Sequence, residues 1–91
     1  MIIPIRRKDP DSVIDYTMDW GTKWLNGDTI STSAWIIPTG LTLVSESYST
    51  TDTTVFISGG TEGITYRITN RITTAAGRTD DRSIDIKVET L

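Results

Sequence analysis

From Gly63 to Glu89 apolar and polar residues alternate along the chain. In Ile64-Thr65-Tyr66-Arg67-Ile68-Thr69-Asn70-Arg71-Ile72 the even positions are mostly apolar and the odd ones polar or charged. Alternation resumes with Ile84, Ile86 and Val88 on one face and Asp85, Lys87 and Glu89 on the other. A period of two marks strands with one face on a core and one in water. Thr74-Ala75-Ala76-Gly77-Arg78 supplies the turn between them, so the whole segment is predicted as a β-hairpin.

Shorter runs with the same habit precede it. Val13–Trp20 reads as a strand with Ile14, Tyr16, Met18 and Trp20 on one side and Asp15, Thr17 and Asp19 on the other. Leu25-Asn26-Gly27-Asp28 is a turn signal, since Asn-Gly is the commonest type I′ hairpin pair. Strands follow over Thr29–Ile37, Leu41–Tyr48 and Thr53–Ser58, separated by Pro38-Thr39-Gly40 and Ser49-Thr50-Thr51-Asp52. Gly59-Gly60-Thr61-Glu62-Gly63 is a glycine-rich corner leading to Tyr66. No segment shows helical periodicity over a useful length, and the many Thr, Ile and Val residues suit pleated surfaces.

A tyrosine placed at the start of the penultimate strand folds its hydroxyl onto the preceding corner in immunoglobulin-like sandwiches. Tyr66 stands at such a place. The predicted fold is all-β, an immunoglobulin-like antiparallel β-sandwich of about six to seven strands. A small barrel or OB-fold is the competing architecture. Of Trp20, Trp24 and Trp35, at least one is expected between the two sheets.

Composition sharpens what the fold can do. The chain has 91 residues, enough for one domain with a modest core. It has no cysteine and no histidine. That removes disulfides, thiolate metal sites, cysteine nucleophiles and any Ser-His-Asp triad. The net charge of −3 argues against a nucleic-acid partner, whose footprint is a clustered basic face. No apolar run approaches a membrane span, and Met1-Ile2-Ile3-Pro4-Ile5 has its charges after it, the wrong order for a signal peptide. A soluble, unexported domain is expected.

The first dozen residues differ from the rest. Apolar Met1–Ile5 is followed by the cluster Arg6-Arg7-Lys8 and the turn Asp9-Pro10-Asp11. Residues 1–12 read as an N-terminal arm and residues 13–91 as the sandwich. The arm is a frayed terminus, a segment that orders against a partner, or a first strand. In the second case Ile2, Ile3, Ile5, Arg6, Arg7 and Lys8 are candidate partner-binding residues.

Other candidate chemistry is thin. Asp9, Asp11 and Asp15, or Asp80-Asp81, supply oxygens of the kind calcium takes, but without an EF-hand pattern they read as turn formers and solvated charges. Paired carboxylates would need a cleft to act as a glycosidase. No catalytic residue, metal ligand or cofactor site is assigned. Trp20, Trp24 and Tyr48 are the aromatic candidates for stacking sugar rings; Trp20 continues an apolar stripe, which leaves Trp24 as the exposed one. Arg71, Arg78 and Arg82, with Arg67, concentrate cations in the last hairpin and complete the candidate partner-binding set.

Several segments together carry a family resemblance. Lys8-Asp9-Pro10-Asp11-Ser12-Val13-Ile14-Asp15-Tyr16 runs into Asp19-Trp20, and Gly27-Asp28-Thr29-Ile30-Ser31-Thr32-Ser33-Ala34-Trp35 is followed by Gly40-Leu41-Thr42-Leu43-Val44. Then come Val55-Phe56-Ile57-Ser58-Gly59-Gly60-Thr61-Glu62-Gly63-Ile64-Thr65-Tyr66 and Thr69-Asn70-Arg71-Ile72-Thr73-Thr74-Ala75-Ala76-Gly77-Arg78-Thr79. In this order the segments resemble the fiber-tail adaptors, small structural proteins of tailed bacteriophages. The resemblance implies a non-enzymatic immunoglobulin-like domain in the virion tail, made in the host cytoplasm and present in several copies. Its implied partners are tail tube, nozzle or adaptor proteins and the tail fiber, with no nucleic acid and no membrane. Capsid decoration, head-tail completion and carbohydrate-binding adhesion are the alternatives.

Overall fold

A computed structural model describes residues 3–91. Seven strands and one short helix follow in the order β1 (Ile5–Lys8), β2 (Ile14–Asp19), α1 (Gly21–Leu25), β3 (Ile30–Ile36), β4 (Leu41–Tyr48), β5 (Asp52–Gly59), β6 (Thr65–Thr74) and β7 (Thr79–Val88). They form two sheets, ordered β1-β7-β6-β3 and β2-β5-β4. All pairings are antiparallel except β1 with β7, which run parallel from Ile5 opposite Asp85 to Lys8 opposite Val88. This is the expected sandwich, and each predicted strand exists with ends shifted by a residue or so.

The alternation of the last hairpin aims Tyr66, Ile68, Ile72, Ile84, Ile86 and Val88 inward. All of these but Ile72 meet Tyr16, Val55 and Ile57 from the facing sheet, with Trp35 and Leu41 closing the cluster. Full burial of one such aliphatic side chain stabilises by about 1.5–3 kcal/mol, so this cluster holds the sheets together. A smaller cluster of Trp20, Leu25, Ile30 and Ile72 fills the pole beneath α1. Trp35 Nε1 is a buried donor without an acceptor among the described residues.

Tyr66 behaves as the sequence predicts. Its hydroxyl accepts the Thr61 backbone N–H at 3.0 Å, five residues upstream, across the glycine-rich corner. Gly40 lies against the same ring: a Cβ there would come within 2.7 Å of Tyr66 Cε1, and its φ is +109°.

One expectation needs correction. Asn26-Gly27 does not turn a hairpin; it ends α1. Both residues have positive φ, as a type I′ turn would need, but the Asn26 N–H bonds back to Thr22 O at 2.7 Å. The reason lies in packing, because β2 and β3 belong to different sheets and the chain must cross between them while burying Trp20 and Leu25.

Within the arm, residues 5–8 match the first-strand reading. They are the edge strand β1, and the Asp85 N–H extends the ladder to Pro4 O at 2.9 Å. Lys8 has no exposed surface. Its Nζ donates to the carbonyls of Asp9 at 2.9 Å, Ser12 at 2.6 Å and Gly59 at 2.8 Å, which ties β1 to the end of β5 in the other sheet. Three acceptors for three ammonium protons make its burial tolerable. Burial still pushes the Lys8 pKa below its ordinary value, opposed by Asp9 and Asp11. Lys8 is thus a buried clamp between β1 and the end of β5. Ile2, also placed in the arm, lies outside the described residues.

Candidate interaction surface

The outer face of β6 and β7 carries a charge ladder dictated by antiparallel register. Arg67 stands opposite Asp85, and Arg71 opposite Asp81. Arg67 donates to the two carboxylate oxygens of Asp85 at 2.9 and 3.3 Å, and Arg71 to those of Asp81 at 2.8 and 2.9 Å. These charge-assisted bonds hold both aspartates below their usual carboxylate pKa and raise both arginines. Arg7 on β1 pairs at 3.0 Å with Glu89, the residue just past β7. Exposed pairs like these add little to stability, because water screens them. Their effect is to neutralise the face from within.

The two remaining candidate arginines close the lower pole. Trp20 and Trp24 pack with ring centroids 5.2 Å apart, tilted by 56°. Arg78 lies 4.2 Å over the Trp24 ring and Arg82 lies 4.2 Å over the Trp20 ring. Arg78 also donates to Trp24 O and Leu25 O, both at 2.9 Å, and pairs with Asp28 at 3.1 Å. The last carbonyls of α1, which a helix leaves unpaired, thereby gain a cation. Arg82 reaches Asp19 O at 3.3 Å. Trp24 is half-buried, with one face covered by Arg78 and Trp20 packed against the ring, so it offers no open aromatic platform.

Asp28 organises this pole. Its side chain is only 9% exposed and accepts the backbone N–H of Thr29 at 2.8 Å and of Ala76 at 3.1 Å, besides Arg78. The Thr74 hydroxyl, those two amides and Arg78 hold its carboxyl at about 2. Asp9, offered as a cation ligand by the sequence, serves turns instead: its carboxylate accepts from Asp11 N at 2.9 Å and Leu91 N at 3.1 Å. Among the described residues no three acidic side chains converge on one point.

The ten candidate residues therefore do not form one patch. Ile5 and Arg6 are exposed on β1 with Arg7, and Ile3 precedes them half-buried. Lys8 is interior, Arg71 sits in the charge ladder, and Trp24, Arg78 and Arg82 share the lower pole. Sequence reading missed Asn70, which has no exposed surface and hydrogen-bonds β3, β5 and the residue that enters α1. Its only sequence signal is a polar residue on an even, inward position of β6.

Comparison with known proteins agrees with this architecture. A solved structure described as the solution structure of the PKD domain from KIAA 1837 protein superposes with a TM-score of 0.58 at 21% identity, covering 96% of this chain and 81% of that one. At that identity the likeness is one of fold. No curated protein matches the chain in sequence. The family model of the podophage GP4 fiber-tail adaptor protein gp77 matches residues 8–87, from the end of β1 to the penultimate residue of β7. The chain belongs to this family of podophage fiber-tail adaptors, and with membership goes a structural role among the proteins of the virion tail.

Proposed function

We propose that this domain is a rigid, non-catalytic bracket that joins the tail fiber to a neighbouring tail tube, nozzle or adaptor protein, in several copies around the tail. The family match across nearly the whole sandwich carries this reading. The internal pairing of Arg67, Arg71, Arg78 and Arg82 supports it, since a bracket needs a stiff body more than free reactive groups. Ile5 and Arg6 on β1, with Ile2 and Ile3 before them, are proposed contacts to one neighbour. Arg71, Trp24, Arg78 and Arg82 contribute packing surface at the other end of the molecule. Repetition around the tail turns individually weak contacts into firm attachment.

Cross-linking mass spectrometry on purified particles tests the assignment. Linked peptides joining this chain to the fiber and to a second tail protein are expected. Links to capsid protein alone would transfer it to a decoration or completion role. Specific glycan-array binding by the isolated domain would favour adhesion instead.

A further inference from the structure

A sandwich with open sheets has four edges, and each exposes unpaired backbone groups that invite another strand. Three stretches of edge here are guarded by charge. β1 carries Arg6 and Arg7, and β2 carries Asp15 and Asp19. β1 covers only Asp85–Val88 of β7, and the uncovered part of β7 holds Asp80, Asp81 and Arg82. The side formed by β3 and β4 differs. Between Asp28 and Asp52 the only charged residue is Glu46, and neither strand contains lysine, arginine or proline.

This uncharged side also carries exposed apolar side chains, as do Ile5, Val13 and Ile64 elsewhere. Ile36 is 48% exposed, Val44 52% and Tyr48 48%, among exposed serines and threonines. β3 is partly occupied already, because Tyr48 donates to Ser31 O at 2.8 Å and Ile30 N bonds to Thr50 O at 3.0 Å. Apart from that Tyr48 contact, β4 has no ladder partner on its outer side among the described residues. An irregularity between Leu43 and Ser45 interrupts its ladder and leaves Ser45–Tyr48 as one regular four-residue stretch. Four residues suffice for strand addition in this fold, as β1 demonstrates on β7.

We propose that β4 is a docking edge, and that its occupant is an extended segment of another tail protein that adds a strand along Ser45–Tyr48. The chemistry of this side specifies that segment. It alternates apolar and hydroxyl-bearing residues, because a charged one would lose hydration with nothing opposite to pair it. The exception is one lysine or arginine set against Glu46, which makes no ion pair among the described residues. Main-chain hydrogen bonds supply the attachment and side chains the selectivity. The inference rests on the adaptor reading and adds to it which edge is used and what it binds.

The test uses the full chain in assembled particles. A photo-cross-linking residue, benzoylphenylalanine, is substituted at Ser47 on β4 or at Thr17 on β2. Cross-links from position 47 to an uncharged, single-cation segment of another tail protein, with none from position 17, are expected. Cross-links from 47 to a second copy of this chain, to a charge-rich segment, or from 17 alone would overturn the proposal. In parallel, Ser47→Lys guards the edge and is expected to lower incorporation by ~10-fold or more, about 1.4 kcal/mol, while Thr17→Lys does not. Unchanged thermal melting shows that both variants fold. Wild-type chain absent from the tail would sink the adaptor reading itself; wild-type present with Ser47→Lys fully incorporated would sink only the docking edge.

Discussion

The indole N–H of Trp20 donates to the Asn70 side-chain oxygen at 2.9 Å, linking the entry of α1 to the middle of β6 inside the sandwich. The same oxygen accepts from the Thr53 hydroxyl at 2.8 Å. The Asn70 amide nitrogen donates to Ser33 Oγ at 3.0 Å and Ala34 O at 3.2 Å. One buried carboxamide thus joins β3, β5, β6 and the α1 junction with all its capacity used. Asn70→Ala leaves several buried groups without partners, each costing roughly 1–3 kcal/mol. A loss of about 3 kcal/mol or more is expected in urea unfolding, and a loss under 1 kcal/mol would show that the hub is dispensable.

The Tyr66 corner gives a graded pair of variants. Tyr66→Phe removes only the hydroxyl that accepts Thr61 N, so a cost of roughly 1 kcal/mol is expected. Gly40→Ala adds a methyl 2.7 Å from the ring at a backbone φ of +109° and is expected to cost more, about 2 kcal/mol. Thermal midpoints in the reverse order would mean that the ring swings aside.

Removing residues 1–8 takes away β1 and the Lys8 clamp together. The truncated chain is expected to lose cooperative unfolding at ordinary temperature. Lys8→Met separates the two effects: β1 remains, but three partly buried carbonyls lose a charged donor, at about 3 kcal/mol in total. Native-like hydrogen-exchange protection of Asp85 and Lys87 in the truncated protein would contradict this account.

Asp28 makes the lower pole acid-sensitive. Its folded carboxyl titrates at about 2, below the ordinary 3.8. The contribution is therefore fully present above pH ~4 and is lost as pH falls towards 2. Asp28→Asn is expected to flatten that part of the pH–stability profile while lowering stability at pH 7. An unchanged acid limb would assign the sensitivity to Asp81 and Asp85, whose pKa values are lowered by Arg71 and Arg67.

What was legible in the sequence was local. Tyr66 and Thr61 are five residues apart, so the corner and its tyrosine could be read from one short stretch. The Asn26-Gly27 pair announced positive φ correctly, yet the element around it was settled by Trp20 and Leu25 seeking a common core. Lys8 sits beside two exposed arginines and looks like them. Its third acceptor, Gly59 O, comes from β5, and no local pattern reveals that. Arg78 likewise finds Trp24 and Asp28 only because the hairpin tip folds onto α1. Charge in the sequence could thus be counted, but its commitment to partners within the molecule could not.

The parallel pairing of β1 with β7 has a mechanical consequence. β1 begins near the middle of the molecule and runs the same way as β7, whose last residue lies beside the end of β1. Tension applied between the residues preceding Ile5 and those following Val88 would load this ladder lengthwise. Its hydrogen bonds would then have to fail together instead of peeling apart singly. The Lys8 ammonium, anchored on three carbonyls at the far end of the short strand, would act as a stop against sliding. A domain under drag in a virion tail gains toughness from that arrangement without any disulfide.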